Sequence, residues 1–243
     1  MNDPVKPQRA ATVILLRPAA SLGIEVFLTR RPEDMPFLGG MYCYPGGTVR
    51  KEDYAPAMRQ RCVGLTPRQA QKTVGAWFNP QEALGLWVAA AREIFEEVGV
   101  LFAAEDGGRP FSPDSERAKG LAEQHRQLLG NSLDFHTILK SHGLCCDLSS
   151  LAYFSYWQTP AQFSMRFDTY FFVAPLPPHQ VPLATSYEVA HSLWIAPERA
   201  LQLFDAGKLP MIFPTFAALR TLADFETIES VFKAYPQPKS RVA

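Results

Sequence analysis

The chain has 243 residues, 47% of them hydrophobic, and its 24 Lys plus Arg balance 24 Asp plus Glu. That length supports one large core or one domain with insertions, and a net charge of zero excludes the basic excess that marks a nucleic-acid or membrane-surface partner. Four cysteines, Cys43, Cys62, Cys145 and Cys146, form no Cys-x-x-Cys pair and read as reduced thiols, not as a zinc site or disulfide framework.

The apolar run Ala10 to Leu16 is too short to span a bilayer and lacks a signal-peptide layout, so a strand is expected there. Residues 11–17 and 24–30 are β-rich and flank a turn-like segment, which predicts an antiparallel pair. A loop follows from Asp34 to Gly40, and Met41 to Tyr44 lead into Pro45-Gly46-Gly47, where tandem glycines let backbone approach a ligand closely. Residues 54–78 read as irregular and polar with one short helix after Thr66-Pro67.

Asn79-Pro80-Gln81-Glu82 then supplies a helix start, with Asn as cap, Pro at the first position and Glu three residues after the cap. The helix is predicted from Pro80 to Val98, with Gly99 just past its end. Val100-Leu101-Phe102 begin an extended piece, and amphipathic helices are expected over 113–129 and 132–142. Strands are predicted over 151–158, 165–174 and 187–195, then helices over 197–206 and 213–225, with a loose end from Pro236 to Ala243. His125, His136 and His142 receive no role.

The chemistry concentrates near the end of the central helix. Glu93, Glu96 and Glu97 fall at i, i+3 and i+4, so three carboxylates crowd one face while Ile94 and Val98 point elsewhere. A solvated acidic stripe is the plain alternative, but two costs oppose it. The helix dipole disfavours anions in the last turn by roughly 0.3–1 kcal/mol each, and like charges at this spacing add roughly 0.2–0.5 kcal/mol per pair. Arg92 is the base within the cluster and cannot neutralise three carboxylates; a divalent cation would.

Gly47, Asp53, Arg92, Glu93, Glu96, Glu97, Gly99 and Val100 resemble the Nudix signature: a glycine, an acid six positions on, then Arg-Glu-apolar-x-Glu-Glu-x-Gly-apolar. Two departures stand out. The first acid is Asp53, or Glu52 in a slipped register, where Glu is usual. It precedes Arg92 by 92 − 53 = 39 positions against eight in the usual motif, an insertion of 31 residues. Beyond the motif, Thr159-Pro160, Arg166 to Phe172 and Glu188…Trp194 resemble the subfamily of the animal peroxisomal coenzyme A diphosphatase.

The resemblance implies a Nudix-type α/β/α sandwich with a mixed sheet, one domain over 1–243 carrying insertions at 54–78 and 112–145. It implies a diphosphatase with Mg²⁺ or Mn²⁺ held by Glu96 and Glu97, and Glu93 as third ligand or base. Arg92 is expected to orient these carboxylates, the backbone at Gly46 and Gly47 to admit the diphosphate, and Glu188 or Asp168 to add an acid from across the sheet. Arg166 could pair with Asp168 or touch a substrate phosphate, and Trp157, Tyr153, Phe163 and Tyr170 could stack a base. The implied partner is a small-molecule nucleoside diphosphate derivative, coenzyme A or its acyl forms, with ADP-ribose, dinucleotides or nucleotide sugars as alternatives and a non-catalytic nucleotide-binding module as another. Another Nudix branch marks coenzyme A with an Arg where Pro36 stands here. No nucleic acid or membrane is expected, and a homodimer is one of three roles open to the 54–78 insertion. The chain ends Arg241-Val242-Ala243 without the peroxisomal tripeptide, giving the expectation of a cytoplasmic protein.

Overall fold

The computed structural model describes residues 5–20, 22–105, 109, 111, 115–130, 132–183 and 186–238. The expected edge of the helical insertion at 112–114 and the terminal residues 239–243 lie outside them. In chain order come β1 (Gln8–Pro18), β2 (Ile24–Arg30), β3 (Tyr42–Cys43), β4 (Gly46–Thr48), a 3₁₀ turn (Lys51–Tyr54), α1 (Pro56–Gln60), β5 (Cys62–Val63), α2 (Pro67–Val74) and α3 (Pro80–Val98). The second half adds β6 (Ala103–Glu105), α4 (Ser115–Leu129), α5 (Phe135–Ser141), β7 (Leu144–Asp147), β8 (Ala152–Gln158), β9 (Phe167–Pro175), β10 (His191–Ile195), α6 (Pro197–Asp205), α7 (Phe213–Leu222) and α8 (Ile228–Ala234).

The main sheet runs β10-β2-β1-β9-β8, with β3 beside β2 and β4 beside β1. It is mixed: β1 and β9 pair in parallel from Gln8↔Phe167 to Leu16↔Pro175, while β1 and β2 form the expected antiparallel pair. Strand alternation sends Val13 and Leu15 into the core beneath α3, and Ile14 and Leu16 into a second core under α6, α7 and α8. Both faces of β1 are therefore dry, which makes the fold the expected α/β/α sandwich.

The helix α3 has the predicted bounds for the predicted reasons. Asn79 Oδ1 accepts the Gln81 N–H at 2.9 Å, and Gly99 at φ 71° donates its N–H to Phe95 O at 2.9 Å. Glu82 differs from expectation: it pairs with Arg9 of β1 at 2.5 Å instead of closing the cap. Ala89, Ala90 and Ala91 are fully buried, and Trp87 Nε1 donates to Leu151 O at 2.9 Å. This small-residue stretch brings the helix close against the sheet.

Elsewhere the elements depart from the sequence reading in ways their shortness explains. Residues 100–102 are buried but not extended into a strand, which starts at Ala103, and β10 starts at His191 instead of residue 187. A small sheet, β5-β7-β6, and the short helices α1 and α8 were not anticipated, because strands of two to four residues and helices of one or two turns have no readable period. Pro236 to Pro238 are tied down in part, with Gln237 Nε2 donating to Ser150 O at 3.2 Å. Among the described residues no helix is long and apolar enough to cross a membrane.

Replacing Asn79 with Ala should remove the α3 cap and lower unfolding free energy by about 1 kcal/mol, read as a fall in urea midpoint with unchanged m.

Candidate active site

The pairing of β4 with β1, Ala10↔Thr48 through Thr12↔Gly46, fixes Gly46 and Gly47 against the last turns of α3. A Cβ on Gly47 would lie 2.6 Å from the carboxyl carbon of Glu93, so only glycine leaves that approach open. The Gly46 backbone also makes a hydrogen bond to the Glu97 carboxylate.

Arg92 organises this end of the helix although it is only 3% exposed. Its Nε donates to Asp53 Oδ1 at 2.7 Å, and its Nη2 donates to Asp53 Oδ2 at 3.0 Å and to Thr48 O at 2.9 Å. Its Nη1 donates to Glu93 Oε1 at 2.6 Å and to Glu96 Oε2 at 3.1 Å. Asp53 also accepts the Arg50 N–H at 2.8 Å. The acid of the motif is thus Asp53, buried beside Arg92, while Glu52 is exposed.

The three glutamates are not a solvated stripe. Glu93 and Glu97 are 6% and 7% exposed, and both line a cavity of about 770 Å³ together with Glu96, Gly46 and Gly47. Burial pushes the Glu93 carboxyl above the usual range, against the pull of Arg92. Glu97 is pushed well above it, by burial first and then by the charges of Glu93 and Glu188. Glu96 differs, being held by Arg50, whose Nη1 and Nη2 meet Oε1 and Oε2 at 3.0 Å each. With Glu96 turned this way, among the described residues no three acidic, His or Cys side chains gather as a ready metal cage. Two carboxylates raised by burial, Glu97 further by the charge of Glu93 and Glu93 by that of Glu96, beside a glycine that leaves them uncovered, nonetheless fit a divalent cation.

Glu188 reaches the same cavity from the loop before β10. That loop is pinned to the end of α3: Leu183 N–H donates to Val98 O at 3.0 Å, and Gln180 pairs through its amide with both backbone groups of Leu101 at 2.8 Å. Arg31 stands 3.7 Å from Glu188. On another side, His125 of α4 donates from Nε2 to Glu96 O at 3.0 Å, satisfying a carbonyl that the helix end leaves unpaired, and packs its ring at a tilt against Phe95.

Several expected residues are not brought here. The guanidinium of Arg166 is spent on Val5 O at 2.7 Å, Thr159 O at 3.0 Å and Gln158 Oε1 at 3.4 Å, so it ties the N-terminus to the β8–β9 turn instead of facing the cavity. Asp168 accepts from Tyr156 Oη at 2.8 Å and Gln158 Nε2 at 2.7 Å, away from the glutamates. Trp157 and Phe163 line the cavity, whereas Tyr153 and Tyr170 pack on the opposite face of the sheet toward α3. Arg50 and Arg31 were missed. Arg50 lies inside the motif three residues after Gly47, which was the available signal; the Arg31–Glu188 pairing spans too much sequence to read.

In metal-free protein, Glu97→Gln should raise unfolding free energy at pH 7 by about 1 kcal/mol, since it removes a like-charge and helix-end cost. A carboxyl raised on folding is stabilising when protonated and loses that contribution as pH rises through its folded value. The advantage of Glu97→Gln should therefore shrink as pH falls toward the ordinary glutamate range, as thermal melts across pH would record. Asp53→Ala should cost about 3 kcal/mol by stripping buried Arg92 of its two-pronged partner, measured by chemical denaturation.

The match to known proteins covers nearly the whole chain. The chain is 26% identical to a chicken (Gallus gallus) protein named acyl-coenzyme A diphosphatase NUDT19, over 96% of this chain and 72% of that one. The human protein of the same name is 25% identical over 95% and 72% of the two chains. Among solved structures, a NUDIX hydrolase from Alicyclobacillus acidocaldarius superposes with a TM-score of 0.74 at 26% identity, covering 96% of this chain and 98% of that one. The model of the family described as the NUDT19 Nudix domain matches residues 7–222, and the chain belongs to that family.

Proposed function

We propose that the protein is a divalent-metal-dependent pyrophosphohydrolase that cleaves the diphosphate of coenzyme A or acyl-coenzyme A. The observation that carries this reading is the pair of buried carboxylates, Glu93 and Glu97, facing one cavity with Gly46-Gly47 uncovered beside them. The names of the chicken and human relatives supply the substrate. Nudix hydrolases use divalent metal ions, and Mg²⁺ or Mn²⁺ suits these oxygen ligands. A bound divalent cation supplies positive charge for the diphosphate oxygens and a more acidic water.

The chain's own residues divide the remaining work. Glu96 and Glu97 hold the cation, and Glu93 is a third ligand or the base that takes a proton from the attacking water. Glu188, turned into the cavity beside Arg31, is the other candidate base. Arg92 touches neither water nor substrate; it is a positioning residue that fixes the rotamers of Glu93 and Glu96. Gly46 and Gly47 leave room for the diphosphate, and Trp157, Phe163 and Phe213 give the cavity an apolar wall for the nucleoside or pantetheine arms. Water adds to one phosphorus, the P–O–P bridge breaks, and an adenosine bisphosphate and a phosphopantetheine leave. The single domain over 1–243, with its insertions at 54–78 and 112–145, acts in the cytoplasm in this reading.

Mass spectrometry of products from coenzyme A, acetyl-coenzyme A, ADP-ribose, NADH and a nucleotide sugar, with Mg²⁺, tests this directly. Phosphopantetheine or its acyl form should accumulate, and Glu97→Gln should lower the rate at least about 10²-fold. Turnover of ADP-ribose or a dinucleotide alone would sink the coenzyme A assignment and keep the metal site. Inertness of folded protein toward all five would favour a nucleotide-binding module.

A further inference from the structure

Both oxygens of Glu96 are engaged by guanidinium groups, Oε1 by Arg50 and Oε2 by Arg50 and Arg92. Arg50 Nη2 also stands 3.8 Å from Glu93 Oε1. The two arginines differ in how firmly they are held. Arg92 is buried and tied to Asp53 and Thr48 O, so moving it would leave a buried charge without partners. The Arg50 side chain is 48% exposed, and water can take over its solvation.

Arg50 also stands where two cavities meet. It lines the 770 Å³ cavity of the glutamates and a neighbouring one of about 460 Å³ that runs beside α5. A guanidinium at this distance from Glu93 and a divalent cation on Glu93, Glu96 and Glu97 would repel at close range. Glu96 can turn to one or the other.

We propose that Arg50 is the resident counter-charge of Glu96 in the metal-free protein, that a divalent cation displaces it, and that its guanidinium then takes hold of the substrate diphosphate. The inference rests on the metal-dependent reading above. A guanidinium released from a carboxylate keeps its planar fork, and a diphosphate offers the same two-oxygen geometry with more charge. The site thus holds its third carboxylate in order before the metal arrives and reuses the same arginine afterwards.

Mn²⁺ binding to the full chain, followed by the electron paramagnetic resonance of free Mn²⁺, tests the exchange without turnover. Arg50→Gln should bind Mn²⁺ roughly two- to tenfold more tightly than the parent, with Arg50→Lys between the two. That gain should vanish in a Glu96→Gln background. KM for the hydrolysed diphosphate should rise in Arg50→Gln, so that metal and substrate affinities move in opposite directions, which a merely structural role would not produce. Unchanged or weaker Mn²⁺ binding in folded Arg50→Gln, or an equal gain without Glu96, would overturn the exchange and leave the metal reading standing. Should Arg50→Gln fail to fold, Arg50→Lys decides the same comparison. Absence of Mn²⁺ binding in parent and variant alike would overturn the metal reading and this inference together.

Discussion

A guanidinium enclosed by protein is the constraint on which this site depends. Arginine cannot shed its charge, so Arg92 must be answered by fixed partners wherever it is buried. Three segments provide them: Asp53 from the 3₁₀ turn, the Thr48 carbonyl from β4, and Glu93 and Glu96 from its own helix. The fork thereby clamps loop, strand and helix into one geometry. Lysine, a single point of charge, could not hold the same three directions.

Around that clamp the charges are balanced in pairs, and the balance differs from carboxylate to carboxylate. Glu96 has Arg50 and Arg92, and Glu188 has Arg31 nearby. Glu97 meets a backbone amide and the influence of Arg31, too little to offset burial beside two other acids. Carboxylates arranged in this way are a compromise between order and repulsion, which a small dication would resolve. The helix end takes part through its carbonyls: Phe95 O, Glu96 O and Val98 O are met by Gly99, His125 and Leu183, so the glutamates sit on a last turn that is held on several sides.

Much of this was legible in the sequence where the rule was local. The bounds of α3 followed from Asn79, Pro80 and Gly99, and the shared face of Glu93, Glu96 and Glu97 followed from helical spacing. The long separation of Asp53 from Arg92 obscured their pairing, because a 31-residue insertion that returns to its starting point leaves no trace in spacing. Strand parity accounts for the misplaced residues. In β9 the odd positions Phe167, Thr169 and Phe171 line the cavity, so Asp168 and Tyr170 turn to the other side, and Tyr153 of β8 packs with Tyr170 there. Arg166 could not be placed by any local rule, since one of its partners is the carbonyl of Val5, at the far end of the chain. Arg50 was marked by its place inside the motif, three residues after Gly47, but its partner Glu96 lies across the insertion.

The parallel pairing of β1 with β9 has a consequence for how the protein comes into being. β1 finds its parallel neighbour only after residue 175 has been made, so its edge from Gln8 to Leu16 has no ladder partner on that side while the residues between are synthesised. The tandem glycines ride on that same strand. Every residue of α3 is therefore translated well before the sheet it packs on is complete, and the nascent chain carries an unpaired strand edge through that interval. A delay in reaching β9 would lengthen the interval in which that edge is open to misassembly.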